Sequence, residues 1–345
     1  MKNLLHLTVF AALLALSACN KKTDTPAEEP AATTTGSTTS STPTPTTAGY
    51  YLRWESFSNG NKYYANAFAN GKVYNSPYTY SEDYGETWKT AADDGLARTL
   101  VNFSGLAAEK KTNSAGTVFT ILSTGATLSF SNSLSLTAWD GSSNAFVWSN
   151  GVLYKTTNTG SSWTAISSPP THNDFIAIAD LEMSGSTVFV VQQFLEKPGN
   201  YTRYILQTSS DGGATWLESE VYSVKIDVSV FASNDVIAKL GSTSTTPQGS
   251  FKVGTGSSIT FTAFEFENGI NSDAAKIMRA AENSYIFGFT YSGINVKHPV
   301  TGKYFNASDK PSTFSGGVIT DKYLIVTSGN TLYRTPFPLV FHDTP

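Results

Sequence analysis

Short apolar runs and alternating apolar and polar residues fill the chain from about residue 50 onward. Val188–Val191 and Tyr323–Val326 are two examples. Such runs are typical of strands, whereas an amphipathic helix places apolar residues at i, i+3, i+4 and i+7, and no long stretch does so. The pattern predicts an all-β domain with little helix outside the first residues.

An eight-residue turn recurs at three places between these runs. Its copies are Ser81–Trp88, Thr156–Trp163 and Ser209–Trp216. The third position holds Asp or Asn, whose side chain accepts hydrogen bonds from backbone N–H groups of the turn. The fifth holds Gly, which supplies a positive φ, and the eighth holds Trp, which begins the next strand. Because such units bury their apolar faces against their neighbours, the recurrence predicts a repeat protein.

The pattern S/T-x-D/N-x-G-x-T/S-W resembles the Asp-box, or BNR repeat, of sialidase-like β-propellers. In that family the box lies on the outer hairpin of a blade, away from the central binding face. The resemblance therefore implies a structural role for the matching residues: Ser81, Asp83, Gly85, Thr87, Trp88, Asn158, Gly160, Ser162, Trp163, Ser209, Asp211, Gly213, Thr215 and Trp216.

The spacing of complete and incomplete boxes predicts the number of blades. Their glycines lie at positions 85, 125, 160, 213, 256 and 302, at intervals that each suit one four-stranded blade. The segment Asp321–Thr335 repeats the strands that precede a box, and Tyr50–Ser56 could add its outer strand. We therefore expect a single propeller over residues 49–345, most simply with seven blades, closed by mixing N- and C-terminal strands. Six blades are the alternative.

Composition and charge limit the class of partner. Only 14% of the residues are charged and 13% are aromatic, as expected of an all-β chain. The net charge is −4, and the few arginines are scattered. Since no basic stripe could neutralise a phosphate backbone, nucleic acid is not an expected partner.

The N-terminus has the pattern of a bacterial export signal. Lys2 precedes the apolar segment Leu4–Leu16, which is too short to span a membrane in a mature protein. The tetrad Leu16-Ser17-Ala18-Cys19 resembles a lipobox, which implies a signal peptide over 1–18 and lipidation of Cys19, the only cysteine. An ordinary secretory signal is the alternative.

The residues that follow Cys19 indicate where the protein is held. Asn20, rather than Asp, favours the outer membrane, with the periplasmic or surface orientation left open. Residues 19–48 are rich in Thr, Ser and Pro and predict a disordered tether.

Candidate chemistry is sparse. The Arg-Ile-Pro segment of sialidases is absent from the sequence. Asp174, Asp180 and Glu182 precede the strand Thr187–Val191, where an innermost strand and its top loop are expected, so they are candidates for the paired carboxylates of a hydrolase. The simpler interpretation places Asp180 and Glu182 at solvent-facing positions of an alternating strand. No motif for metal ligands occurs, and neither a metal nor a cofactor is expected.

These observations favour a membrane-anchored, non-catalytic propeller that binds a protein or glycan at the cell envelope. The alternatives are a glycoside hydrolase with paired carboxylates in the central cleft, and a purely architectural envelope component. Fold alone does not separate them, because propellers host many unrelated functions.

Overall fold

The computed structural model describes residues 50–58, 63–92, 95–131, 134, 136–223, 225–231, 235–240, 250–255, 262–267, 274–281, 284–289, 293–306 and 311–342. They belong to one compact unit of the chain, residues 47–345. The predicted signal peptide, Cys19 and the tether lie outside the described residues. No helix within these ranges is long and apolar enough to cross a membrane.

Strands are the regular elements of the described ranges, which confirms the all-β prediction. The first fourteen are β1 (Tyr51–Leu52), β2 (Glu55–Ser58), β3 (Ala67–Ala69), β4 (Lys72–Tyr74), β5 (Thr79–Ser81), β6 (Lys89–Thr90), β7 (Ala97–Phe103), β8 (Leu106–Asn113), β9 (Gly116–Ile121), β10 (Thr127–Phe130), β11 (Leu136–Trp139), β12 (Ala145–Ser149), β13 (Val152–Thr156) and β14 (Thr164–Ile166). The next are β15 (Phe175–Ser184), β16 (Thr187–Glu196), β17 (Tyr201–Ser209), β18 (Leu217–Tyr222), β19 (Asp227–Val230), β20 (Asp235–Leu240), β21 (Ser250–Thr255), β22 (Thr262–Ala263), β23 (Ala274–Ala281), β24 (Ser284–Phe289), β25 (Gly293–Lys297), β26 (Tyr304–Asn306), β27 (Gly316–Ile319), β28 (Tyr323–Ser328), β29 (Thr331–Pro336) and β30 (Phe341–His342).

The strands pair into four-stranded antiparallel sheets. Six sheets consist of consecutive strands: β3–β6, β7–β10, β11–β14, β15–β18, β19–β22 and β23–β26. A further four-stranded sheet, which we call the mixed sheet, has the order β2-β29-β28-β27 and so combines the two ends of the domain. Each sheet has the first strand of its meander at one edge. Six of these edge strands, β3, β7, β15, β19, β23 and β27, line a common channel.

Buried apolar clusters join each sheet to the next around the channel. Phe146 of β12 packs with Leu181 of β15, and Ile286 of β24 packs with Leu324 of β28 in the mixed sheet. Comparable clusters join the other neighbouring sheets, and β3 contacts β8. Full burial of one such side chain contributes about 1.5–3 kcal/mol, so no sheet is stable apart from its neighbours. This radial packing of four-stranded sheets is a β-propeller, as the sequence predicted.

The N-terminal segment divides between two sheets, which differs from the expectation for Tyr50–Ser56. Only its last residues belong to the mixed sheet, where Glu55 pairs with Arg334 and Ser58 with Thr331. Tyr51 and Leu52 pair instead with His342 and Phe341. Leu52 is buried in the apolar cluster that also contains Ile286 of β24 and Leu324 of the mixed sheet, so β1 packs on the mixed sheet without joining its ladder.

The complete boxes form closely similar turns between the third and fourth strands of their sheets. In the first, the Ser81 hydroxyl accepts from the Gly85 N–H at 2.7 Å and donates to Asp83 Oδ1 at 2.7 Å. The Asp83 carboxylate also accepts from the N–H and hydroxyl of Thr87 at 2.8 and 2.5 Å. Tyr84 and Gly85 have φ values of 58° and 101°, which explains why the turn needs glycine at its fifth position.

The other two complete boxes repeat this network with small changes. Asp211 accepts from Ser209 and Thr215, as Asp83 does from Ser81 and Thr87. Asn158 replaces the carboxylate and uses both ends of its amide, accepting from the Ser162 N–H and donating to the Ser162 hydroxyl. The incomplete box expected around glycine 256 lies largely outside the described residues.

Candidate binding channel

A channel of about 900 Å³ passes between the inner strands of the sheets. Residues of β3, β7, β15, β19, β23 and β27 line it, and about half of them are apolar, including Phe68, Leu100, Phe231 and Ile277. Its charged lining residues are Arg98, Glu182, Lys276 and Arg279. A cavity of this size, lined by both apolar and polar side chains, lies within the range of ligand-binding sites.

Lys276 of β23 bridges three neighbouring sheets at the channel wall. Its Nζ donates to the backbone oxygen of Gly317 in β27 at 2.6 Å and to that of Asn66, just before β3, at 3.0 Å. Burial lowers the pKa of Lys276 from 10.5 to about 8. Removal from water disfavours the charged amine, and the two carbonyl dipoles compensate for only part of that loss.

Glu182 of β15 lies on the channel wall in a different environment. Its chain neighbours Leu181 and Met183 are buried against the preceding sheet, so the alternation of the strand turns Glu182 to the other side. Burial, and then the charge of Asp180, raise the pKa of Glu182 well above its ordinary value. Glu182 therefore holds its proton to a higher pH than an exposed glutamate does.

Asp180 connects two sheets. Its Oδ2 accepts from the N–H of Val228 in β19 at 3.1 Å, and its Oδ1 accepts from the N–H of Leu181 at 2.9 Å. Burial raises the pKa of Asp180, while these two hydrogen bonds lower it. Both carboxylate oxygens are thus occupied by the backbone.

Asp174 lies apart from the channel. It precedes β15, has a φ of 61°, and forms an ion pair with Lys197 at 2.7 Å. The structure therefore places the three predicted carboxylates at three kinds of position: Asp174 at an exposed ion pair, Asp180 at a contact between sheets, and Glu182 on the channel wall.

Sequence reasoning missed Lys276. Its flanking residues in β23 are Ala275 and Ile277, so a signal was present in the form of a single lysine within an apolar run that becomes an inner strand. Arg98, on the same wall, forms an ion pair with Glu109 of β8 and lies over the Tyr78 ring at 5.5 Å. Within the described part of the chain, no group of three or more His, Cys, Asp or Glu side chains could hold a metal ion.

The β15–β18 sheet offers a second surface, because its first three strands are nine or ten residues long. Phe175, Ile176 and Tyr201 are exposed at the extended end. His172 stacks on Phe194 there, with ring centroids 4.5 Å apart. This end combines aromatic and charged side chains outside the channel.

Comparisons with known proteins give structural likenesses alone. No protein-family model and no curated protein matches the sequence. YCF48 from Cyanidioschyzon merolae has a TM-score of 0.47 at 13% identity, with 82% of this chain and 98% of that chain covered. YCF48 bound to D1 peptide has a TM-score of 0.45 at 13% identity, with 86% and 99% covered. A catalytically inactive virginiamycin B lyase from Staphylococcus aureus with quinupristin has a TM-score of 0.45 at 10% identity, with 83% and 99% covered. Because these TM-scores lie below 0.5, the β-propeller is identified from the pairing of the strands into four-stranded sheets.

Proposed function

We propose that this protein is a non-catalytic binding propeller whose channel takes a peptide segment of a protein partner at the cell envelope. The observation that carries the proposal is the composition of the channel wall. About half of its residues are apolar, and a few amide, hydroxyl and charged groups are spread among them. Apolar walls with isolated polar groups bind and orient a ligand without requiring chemistry of it.

The lining favours a peptide over a glycan. Leu100, Ile277, Met278 and Val318 are aliphatic or flexible and suit the side chains of an extended peptide. Sugars instead bind to the flat faces of exposed aromatic rings together with many hydrogen-bonding groups. A glycan partner is the alternative outcome of the binding experiment below.

The carboxylates support binding more than hydrolysis. A glycoside hydrolase needs two carboxyl groups on opposite sides of the scissile bond. Among the described lining residues Glu182 is the single carboxylate, and the oxygens of Asp180 accept backbone hydrogen bonds. Turnover of fluorogenic sialosides or glucosides that is abolished by Glu182→Gln would contradict the proposal.

The membrane anchor belongs to the same proposal. The sequence from Leu16 to Cys19 supports cleavage before Cys19 and lipidation of its thiol, and residues 19–48 would hold the propeller away from the membrane. Asn20 supports the outer membrane as the location. The protein would then act at the surface of that membrane, on whichever side it faces.

The test is to fill the channel without disturbing the sheets. Thr99 of β7 is exposed on the channel wall, so Thr99→Trp should obstruct it. Thr164, exposed on the outer strand β14, provides a matched control in Thr164→Trp. Each variant would be tested against a displayed library of random octapeptides, and the affinity of the recovered peptides measured by fluorescence anisotropy.

We expect wild type and Thr164→Trp to recover and bind the same peptides, and Thr99→Trp to bind them about 10-fold or more weakly, because the peptide and the indole compete for one space. Equal binding by Thr99→Trp would exclude the channel as the site. Failure of wild type to enrich any peptide, combined with enrichment on a glycan array, would replace the peptide by a sugar.

A further inference from the structure

Lys276 has a hydrogen-bonding capacity that the protein uses only in part. An ammonium group has three N–H donors, and the structure gives its Nζ two acceptors, the backbone oxygens of Gly317 and Asn66. Both acceptors are neutral carbonyl groups from neighbouring sheets. Among the described residues the third N–H has no acceptor, and Lys276 lines the channel, so a ligand there can accept from it.

The surroundings of Lys276 make an anionic acceptor favourable. Ile277 and Met278 follow it in β23, and Val318 of β27 lies on the same wall. Burial lowers the pKa of this amine, and no carboxylate of the described residues is among the causes of the shift. A carboxylate supplied by a ligand would offset that burial and would form a charge-assisted hydrogen bond with the ammonium group.

Two other charged groups of the wall, Glu182 and Arg98, do not take this role. Glu182 contributes nothing to the pKa of Lys276, and its own proton is held by burial and by the charge of Asp180. Arg98 is already paired with Glu109. Lys276 thus differs from Arg98 in having only dipoles, and no carboxylate, as its recorded partners.

We infer that Lys276 binds a carboxylate group of the peptide that occupies the channel. The inference rests on the proposed function and adds the chemical class that the site selects. The carboxylate can be the C-terminus of the peptide or an Asp or Glu side chain, since both present the same pair of oxygens. A peptide that carries neither is expected to bind more weakly.

The experiment uses two versions of the octapeptide library, one with free C-terminal carboxylates and one with C-terminal amides, each with random internal residues. Enrichment would be compared among the wild-type protein, Lys276→Met, Lys197→Met and Glu182→Gln. Lys197→Met is the matched control, because it makes the same substitution at an exposed lysine that pairs with Asp174 outside the channel. Glu182→Gln tests whether the lining carboxylate selects the peptide instead. Recovered peptides would be resynthesised as acid and amide, or as Glu and Gln, and their Kd ratios measured.

We expect wild type and Lys197→Met to prefer the carboxylate form by about 10-fold or more, as for a hydrogen bond to a charged group. Lys276→Met should bind both forms alike. If the free C-terminus is the source, the acid library alone is enriched, and if a side chain is the source, both libraries enrich Asp or Glu.

Two outcomes would overturn the inference. In the first, the preference survives Lys276→Met. In the second, wild type enriches Lys- or Arg-rich peptides, and Glu182→Gln abolishes their binding. If wild type enriches neutral peptides that Thr99→Trp loses, the proposed function stands and this inference fails. If wild type enriches no peptide, both fail.

Because Lys276 also ties three sheets together, Lys276→Met could lower affinity by shifting the channel wall. The ratio of acid to amide affinity within one variant removes that effect, since a shifted wall weakens both forms. Lys276→Gln gives a second measurement, because its amide keeps two N–H donors but carries no charge. It should lose the preference as Lys276→Met does, and retention of the preference would contradict the inference.

Discussion

At the scale of single residues, the third position of the box shows what a side chain must supply. Asp83 and Asp211 accept hydrogen bonds from the hydroxyl at the first box position and from the Thr at the seventh. Asn158 serves the same turn without a charge. The common requirement is an acceptor oxygen at one place, so the network depends on geometry more than on the negative charge.

We expect Asp83→Ala to lower the free energy of unfolding by about 1–3 kcal/mol, because it leaves the Thr87 N–H and hydroxyl without their acceptor. Asp83→Asn should cost less, as Asn158 fills this position in another box. Urea unfolding of the three proteins at neutral pH measures the order. Equal stability of Asp83→Ala and wild type would show that the turn forms without the network.

The same position predicts a pH effect. Burial opposes ionisation of Asp83, but hydrogen bonds from Thr87 and Ser81 outweigh it, and the pKa is lowered from 3.8. The stabilisation is therefore complete above about 3.8 and is lost as the pH falls through the lower value of the folded state. The part of the pH dependence of stability that arises from Asp83 should therefore be absent in Asp83→Asn.

At the scale of strands, alternation places Asp180 and Glu182 on the same side of β15. It does not show which neighbouring element that side contacts. The sequence analysis allowed for solvent-facing positions. In the structure the side turns toward β19 and the channel, so Asp180 accepts from Val228 while Glu182 lines the wall. A strand's periodicity gives the face of a residue, and only the neighbouring strand gives its partner.

Arg334 holds the mixed sheet to the blade that follows it. It forms ion pairs with Glu55 of β2 at 2.7 Å and with Glu86 of the first box at 2.8 Å. Its guanidinium also lies over Phe57 and Tyr323, 4.4 and 4.7 Å from the ring centroids. One largely buried side chain thus connects strands from both ends of the domain.

We expect Arg334→Met to destabilise the domain by about 1–2 kcal/mol, since it removes two ion pairs to exposed carboxylates and two cation–π contacts of a largely buried guanidinium. The control is Arg203→Met, which removes one ion pair with the exposed Glu196 and one contact with the Tyr201 ring. That change should cost less than about 1 kcal/mol. Thermal unfolding of both variants tests the difference, and equal losses would argue against a special role for Arg334.

At the scale of the whole molecule, the anchor and the propeller are predicted to be separable. Cys19→Ala removes the thiol that would carry the lipid, so the protein should move from the membrane fraction to the soluble fraction of the envelope. Its thermal unfolding and its peptide binding should not change, because residue 19 lies outside the propeller sequence. Membrane fractionation and labelling with a radioactive fatty acid measure the effect. Unchanged membrane association of Cys19→Ala would exclude lipid anchoring at this residue.

The sequence by itself determined the β-propeller of four-stranded blades, the place of each complete box and the two middle strands of the mixed sheet, β28 and β29. These are local properties, because alternation, glycine positions and repeat spacing act through neighbouring residues. It did not separate β1 from β2, nor single out Lys276. The groups that meet at Lys276 belong to residues 66, 276 and 317, which are far apart in the sequence. Only closure of the ring brings such distant segments together. Their burial against one another determines the charge and the chemistry of the channel, and no local motif does.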